Sequence, residues 1–326
     1  MKALCAVGML LLAGCARTSN ETVRVITYPV LDSFPFYLAQ ELGHFRAEGV
    51  AIATEELTAG PKIMESLVAG SADVSTDSLL YAILMAAQGR PLKAFFNAHE
   101  AVLGLVVAAP AKADRIRRIA DLKGATIGVG SFGGLHHRML AYYLQRSGLS
   151  LSEVQLTAIG VAASSVAAIQ HGKVDAAMIQ GSNLAFLKTR APGLRILLDP
   201  RSREQSKALF GVEGFPGSSG LLATAQWISR NPAKARALAH AMRRTLRWIG
   251  EHSAEEVLDR IPTKLRSEDR TLDLEHLRLA IGLLSKDGRF SPGGPEAVQR
   301  VVAASLETAK SIDLGSTWTN EFLEAE

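Results

Sequence analysis

Residues 121–143 read D-L-K-G-A-T-I-G-V-G-S-F-G-G-L-H-H-R-M-L-A-Y-Y, and this stretch decides what kind of fold the chain builds. Thr126 to Val129 is short, apolar and rich in β-branched residues. Gly130, Ser131, Gly133 and Gly134 then interrupt it, and from Leu135 apolar residues recur at helical spacing through Met139, Leu140, Tyr143 and Leu144. The pattern predicts a strand feeding a helix through a glycine-rich turn. The first amides of such a helix lack intrahelical acceptors and the helix dipole is positive there, so the turn favours an anion or a polar ligand group. Gly128, Gly130 and Gly133 also spell G-x-G-x-x-G, which leaves a dinucleotide site and a small-ligand cradle as alternatives.

The next strand separates them. A dinucleotide fold places an acidic residue at the end of that strand to hold the ribose, but here it runs from Val154 to Ile159 and ends in Gly160, with Glu153 standing before it. No Gly-Lys-Ser/Thr follows the glycines, so a phosphate loop fails as well. Further β-α units extend on both sides. Val23 to Thr27, a helix from Phe36 to Gly43 and a strand from Val50 to Glu56 make one. A helix from Gly60 with Pro61 to Gly70, a strand at Ala72 to Ser75 and a helix through Leu79 to Gln88 follow. Later units pair Val154 to Ile159 with helix 164–171, and Ala176 to Ile179 with helix 182–188. Leu221 to Ala225 is expected to return to the first lobe, and helices follow from Asn231, about Leu272 and Pro295.

The 326 residues suffice for two domains, and 48% hydrophobic with 21% charged residues is an ordinary globular balance. With 36 basic against 32 acidic residues, the net charge of +4 is too small for a nucleic-acid surface. Arginines gather at Arg115, Arg117 and Arg118 and at Arg243, Arg244 and Arg247, the second set on an amphipathic helix, as a solvated face or a contact for an anionic partner or lipid. Lys2 followed by a short apolar run has the layout of an export signal, and Leu12, Ala13, Gly14 and Cys15 resemble a bacterial lipobox. Only two cysteines exist, Cys5 and Cys15, and Cys5 would leave with the signal, so no disulfide is expected.

F-Y-L-A-Q-E-L-G-H-F with E-G-V, A-G-P before a helix, L-V-A-G-S-A-D-V, D-L-K-G-A-T-I-G-V-G-S and A-I-Q-H-G-K-V-D-A-A-M-I together resemble one family over residues 23–250. It comprises the solute-binding proteins of bacterial ABC importers for nitrate, alkanesulfonates, taurine and pyrimidine precursors of thiamine. The resemblance implies an α/β, type II periplasmic-binding-protein fold, with two doubly wound lobes and a cleft between them. It divides the chain into a signal peptide (1–14), a lipid anchor and tether (15–22), a first lobe (23–108 and 207–326) and a second lobe (109–206). Expected partners are a small-molecule solute, an ABC permease and membrane lipid through Cys15. The expected protein is a monomer outside the cytoplasm, without cofactor, nucleic acid or catalysis.

In open α/β sheets ligands sit beyond the carboxyl ends of strands. That selects Tyr28, Asp32, Ser33 and Phe34; Gly60 and Pro61; Thr76, Asp77 and Ser78; Gly130, Ser131, Gly133 and Gly134; Ser164; and Gln180 with Asn183. Such loops suit a small anion or a small planar solute. His136 is read as facing the cleft as a hydrogen-bond donor. Arg138 could clamp a carboxylate or sulfonate. His136 and His137 are adjacent and point apart on a helix, which disfavours a shared metal. No G-x-S-x-G elbow occurs, and the cysteine-rich motif of the fungal enzymes that resemble this family and make a thiamine precursor is absent, since no cysteine follows Cys15. An enzyme of that type and a binding module for a membrane sensor are the alternative readings.

Overall fold

Val23–Thr27 (β1) is the first strand of a computed structural model that describes residues 22–161 and 163–324. The expected signal, Cys15 and nearly all of the tether lie outside the described residues. A single 3₁₀ turn at Leu31–Ser33 leads into Phe34–Glu41 (α1), so Phe34 and Pro35, expected in a loop, open the helix. His44–Ala47 (α2), Ile52–Glu56 (β2), Gly60–Ala69 (α3), Val74–Ser75 (β3), Leu79–Ala86 (α4) and Leu92–Asn97 (β4) follow. Pro61 lies in the first turn of α3, and the Ser78 side chain caps α4 by accepting from the Leu80 amide at 3.2 Å.

Gly104–Ala108 (β5) begins the second sheet, which continues through Thr126–Val129 (β6), Leu135–Arg146 (α5), Gln155–Ala158 (β7), Ala163–Gln170 (α6), Ala176–Gln180 (β8), Ser182–Arg190 (α7) and Arg195–Leu198 (β9). Arg203–Phe210 (α8) then leads towards Gly220–Thr224 (β10). The chain closes with Ala225–Arg230 (α9), Pro232–Gly250 (α10), Ala254–Arg260 (α11), Arg270–Gly282 (α12) and Gly294–Ala303 (α13).

The first sheet has the order β2-β1-β3-β10-β4 and the second β7-β6-β8-β5-β9. In each, the β-α units pair in parallel, and one strand arriving from the other lobe runs antiparallel: β10 against β3 and β4, β5 against β8 and β9. Residues 104–108, which the resemblance puts at the end of the first lobe's opening segment, are therefore internal to the second sheet, and all five are buried. The crossover is the segment 98–103, and the return runs through 199–219. These two connections bond each other: the Ala98 amide to the Ser219 carbonyl at 2.9 Å, the Leu103 amide to Ser218 Oγ at 2.9 Å, and Ser218 Oγ to the Ala101 carbonyl at 2.8 Å.

Helix α10 lays Leu238, Met242, Leu246 and Ile249 onto the first lobe's core, with Phe36 and Phe45 of α1 and α2 in the same cluster. Each such side chain contributes roughly 1.5–3 kcal/mol of burial. The C-terminal helices also reach the second lobe, α12 packing on α7 and α13 on α5. Among the described residues no helix is long and apolar enough to cross a membrane.

Candidate functional site

The carboxyl ends of β1, β3, β6 and β8 meet the two crossover segments around a cavity of about 70 Å³. It is a small space, on the scale of a few water molecules. Tyr28, Asp32, Ser33, Gly60, Thr76 and Asp77 line it from the first lobe, and Gly130, Ser131, His136 and Gln180 from the second. Eight positions selected from sequence stand elsewhere. Phe34 is fully buried, its ring edge-on to His99 with centroids 6.1 Å apart. Pro61 and Ser78 serve helix starts. Ser164 is exposed at the start of α6, and Asn183 donates to the Val161 carbonyl (3.0 Å) and to Ser165 Oγ (3.2 Å). Arg138 turns away to Ser305, Nη1 donating to Oγ at 2.9 Å across the lobes.

Gly133 and Gly134 lie beside the cavity rather than on its wall, because the turn's amides are already taken. Gly133 N–H donates to His137 Nδ1 (2.8 Å), Gly134 N–H to the Ser131 carbonyl (3.2 Å), and Leu135 N–H, at the start of α5, to the Tyr81 hydroxyl (3.0 Å). Tyr81 comes from α4 in the first lobe, so this bond joins the lobes directly over the cavity. Gly60 permits it: a Cβ there would collide with the Tyr81 hydroxyl and lie 2.9 Å from that of Tyr28.

Tyr81 and Tyr28 are in hydrogen-bond contact, and the Tyr28 hydroxyl donates to Asp77 Oδ1 at 3.0 Å. Each phenol has one proton, so the order that satisfies the chain runs from Leu135 N–H to Tyr81, from Tyr81 to Tyr28 and from Tyr28 to Asp77. Asp77 is 3% exposed, and its Oδ2 accepts no hydrogen bond. Burial pushes its carboxyl up to about 7, against the lowering effect of Tyr28 and the neighbouring Ser75. Burial likewise pushes the His136 imidazole down to about 4, although the Gln180 side chain and Asp32 favour its charged form. His136 Nδ1 is buried without a partner.

Asp32 is held differently. Its Oδ1 lies 2.5 Å from His276 Nε2 of α12, and its Oδ2 accepts from Ser182 Oγ of α7 at 3.2 Å. Burial raises its carboxyl, but His276, His99 and Ser182 together hold it below the usual carboxylate range. Sequence reasoning missed Tyr81, His99, His276, Ser218 and Ser219. His99 Nδ1 and Ser219 Oγ are 2.8 Å apart behind the cavity. The serine pair in G-S-S-G was the available signal for the last two.

A sequence model of the family described as NMT1/THI5 like matches residues 31–256, and the chain belongs to that family. A protein of Bordetella bronchiseptica RB50 superposes with a TM-score of 0.86 at 26% identity, over 93% of this chain and 95% of that one. The alkanesulfonate-binding protein SsuA of Xanthomonas axonopodis pv. citri, solved bound to MOPS, superposes with a TM-score of 0.72 at 17% identity, over 91% and 98%. The fold is thus that of the periplasmic solute-binding proteins of ABC import systems. The 4-amino-5-hydroxymethyl-2-methylpyrimidine phosphate synthase of Schizosaccharomyces pombe is 29% identical over 143 residues, which span 43% of this chain and only 39% of that enzyme.

Proposed function

We propose that the protein is the solute-binding component of an ABC importer, a monomer held outside the cytoplasm by a lipid on Cys15, which closes two lobes on one small solute. The observation that carries this reading is the Leu135 N–H to Tyr81 bond. It joins the lobes across a cavity flanked by two mutually bonded crossovers, the arrangement of a hinge with a latch opposite. Solute that touches both walls has differential affinity for the closed state and shifts the population towards it; the closed form then docks on a permease. The test is small-angle scattering on chain stripped of solute and then reloaded with whatever mass spectrometry identifies in the purified protein. Compaction on loading, with the solute recovered unchanged, is expected; absence of compaction sinks the reading.

The match to the pyrimidine phosphate synthase favours a second reading, an enzyme that builds a thiamine precursor. Chemical conversion of the recovered solute by the purified protein would move the assignment there. The lack of any cysteine after Cys15 weighs against it.

A further inference from the structure

We infer that the captured solute is a small nitrogen cation, of the ammonium, amidinium or guanidinium kind, and that Asp77 is the carboxylate that receives it. This rests on the capture reading above and adds the charge and the contact residue.

Among the described residues that line the cavity, the carboxylates are Asp32 and Asp77, and no lysine or arginine joins them. Asp32 already has His276 and Ser182. Asp77 has one oxygen committed to Tyr28 and the other without a well-formed hydrogen bond, the buried Ser75 hydroxyl being the neighbouring group, in a side chain that is 3% exposed. A buried carboxylate oxygen without a donor is costly, and a ligand N–H is the group that removes the cost. His136 adds a second open acceptor: its ring is 4% exposed, lines the same cavity, and its Nδ1 has no partner. Its depressed basicity keeps it neutral at physiological pH, so it offers a lone pair rather than a positive charge.

Most of the N–H and phenol donors around the glycine turn are committed, which leaves the hydroxyls of Ser33, Thr58 and Ser131 as the neutral donors on the wall. The Leu135 amide, Tyr81 and Tyr28 all point their protons along one chain that ends on Asp77, and the Gly133 and Gly134 amides are bonded within their own loop. Arg138, the nearest guanidinium on α5, is not on the cavity wall: its Nη1 donates to Ser305 Oγ, and its Nε is buried without a partner. At pH 8 an anion would therefore sit against the Asp77 carboxylate with no lysine or arginine on the wall, whereas a cation meets an acceptor from each lobe.

The decisive comparison uses planar ions of matched shape and opposite charge: guanidinium against nitrate, and acetamidinium against acetate. Each is titrated calorimetrically into the solute-stripped full chain at pH 8 and constant ionic strength. At least one cation should bind, its anionic counterpart should bind at least tenfold more weakly, and Asp77→Asn should weaken the cation at least tenfold. Asp77→Glu, which keeps the charge, should retain more affinity than the amide; circular dichroism verifies that both variants are folded. Tighter binding of nitrate or acetate overturns the inference, as does failure of both cations to bind or an Asp77→Asn affinity within twofold of the parent. Compaction on loading an anion recovered from the protein would leave solute capture standing while removing the cation; a protein that compacts with nothing would remove the capture reading itself.

Discussion

Asp77→Asn should make the empty protein more stable as the pH rises, and the size of the effect follows from the cavity. Burial lifts the Asp77 carboxyl from 3.8 to about 7 in the folded chain. Between those values the folded protein keeps a proton that the unfolded chain has released, so the native state binds more protons and stability falls as pH climbs through the window. A shift of about 3 units at 1.36 kcal/mol each is about 4 kcal/mol in full, and roughly 2.5 kcal/mol of it develops between pH 5 and pH 8. Asparagine cannot ionise, yet its carbonyl still accepts the Tyr28 proton. Burial holds His136 and His99 down at about 4, Tyr28 and Tyr81 are raised above the ordinary phenol range, and Asp32 is depressed; whatever titrates alike in wild type and variant cancels in their difference. The assay is calorimetric melting of stripped wild type and variant from pH 5 to pH 8. Their difference should widen in favour of the variant by about 5 °C, taking about 2 °C per kcal/mol for a chain of this size. A gap that stays constant, or closes, would refute the claim that an uncompensated carboxylate is buried here.

Tyr81→Phe should weaken solute affinity about tenfold without changing which solute binds, because it removes the latch to Leu135 and leaves that amide open, a loss of about 1–3 kcal/mol shared between closure and folding; titration of the native solute reads it. Gly60→Ala should push the Tyr81 ring aside and cost about 1–3 kcal/mol through overpacking. Combining it with Tyr81→Phe should cost less than the sum, measured by melting and affinity in a double-mutant cycle. Gly133→Val should lower stability by about 1–2 kcal/mol, since φ there is +74° and a β-branched residue resists it, with solute affinity in the surviving folded protein changed less than by Tyr81→Phe. Cys15→Ser should move the protein from the membrane fraction to the soluble one, read by fractionation; retention in membranes would remove the lipid anchor from the proposed function.

The fold was legible wherever a strand and its helix lie next to each other in sequence. β6 with α5 and β8 with α7 carry period changes and glycine punctuation within about twenty residues, and parallel pairing follows from the crossover helices. Elements defined by distant partners were not legible. β4 is the run L-K-A-F-F-N between α4 and β5, and its partner β10 arrives only at Gly220. β5 is a run of small and β-branched residues, but nothing local says that β8 and β9 will flank it. α8 was not legible either, because R-E-Q-S-K shows no apolar face before Ala208. Its structural cue is Ser202, whose side chain caps it by accepting from the Gln205 amide.

The glycine turn shows why the site was harder than the fold. Its strand, helix and φ requirement at Gly133 are local properties, and the inference that helix-start amides seek an acceptor is sound physics. The acceptor, however, is supplied by Tyr81, a residue 54 positions earlier inside the apolar helix L-L-Y-A-I-L-M-A, where a tyrosine reads as core. Which acceptor wins depends on how α4 faces α5 when the lobes meet, and that is a tertiary fact. Once Tyr81 takes the amide, the polarity of the site reverses. The Leu135 amide and the protons of two tyrosines run towards Asp77, and the buried atoms without a partner among the lining residues are acceptors: Asp77 Oδ2 from one lobe and His136 Nδ1 from the other. A turn whose sequence suits an anion thus ends beside a cavity whose open groups suit a donor, and Asp77, half hidden in T-D-S as a helix-capping candidate, becomes the residue on which the choice of solute turns.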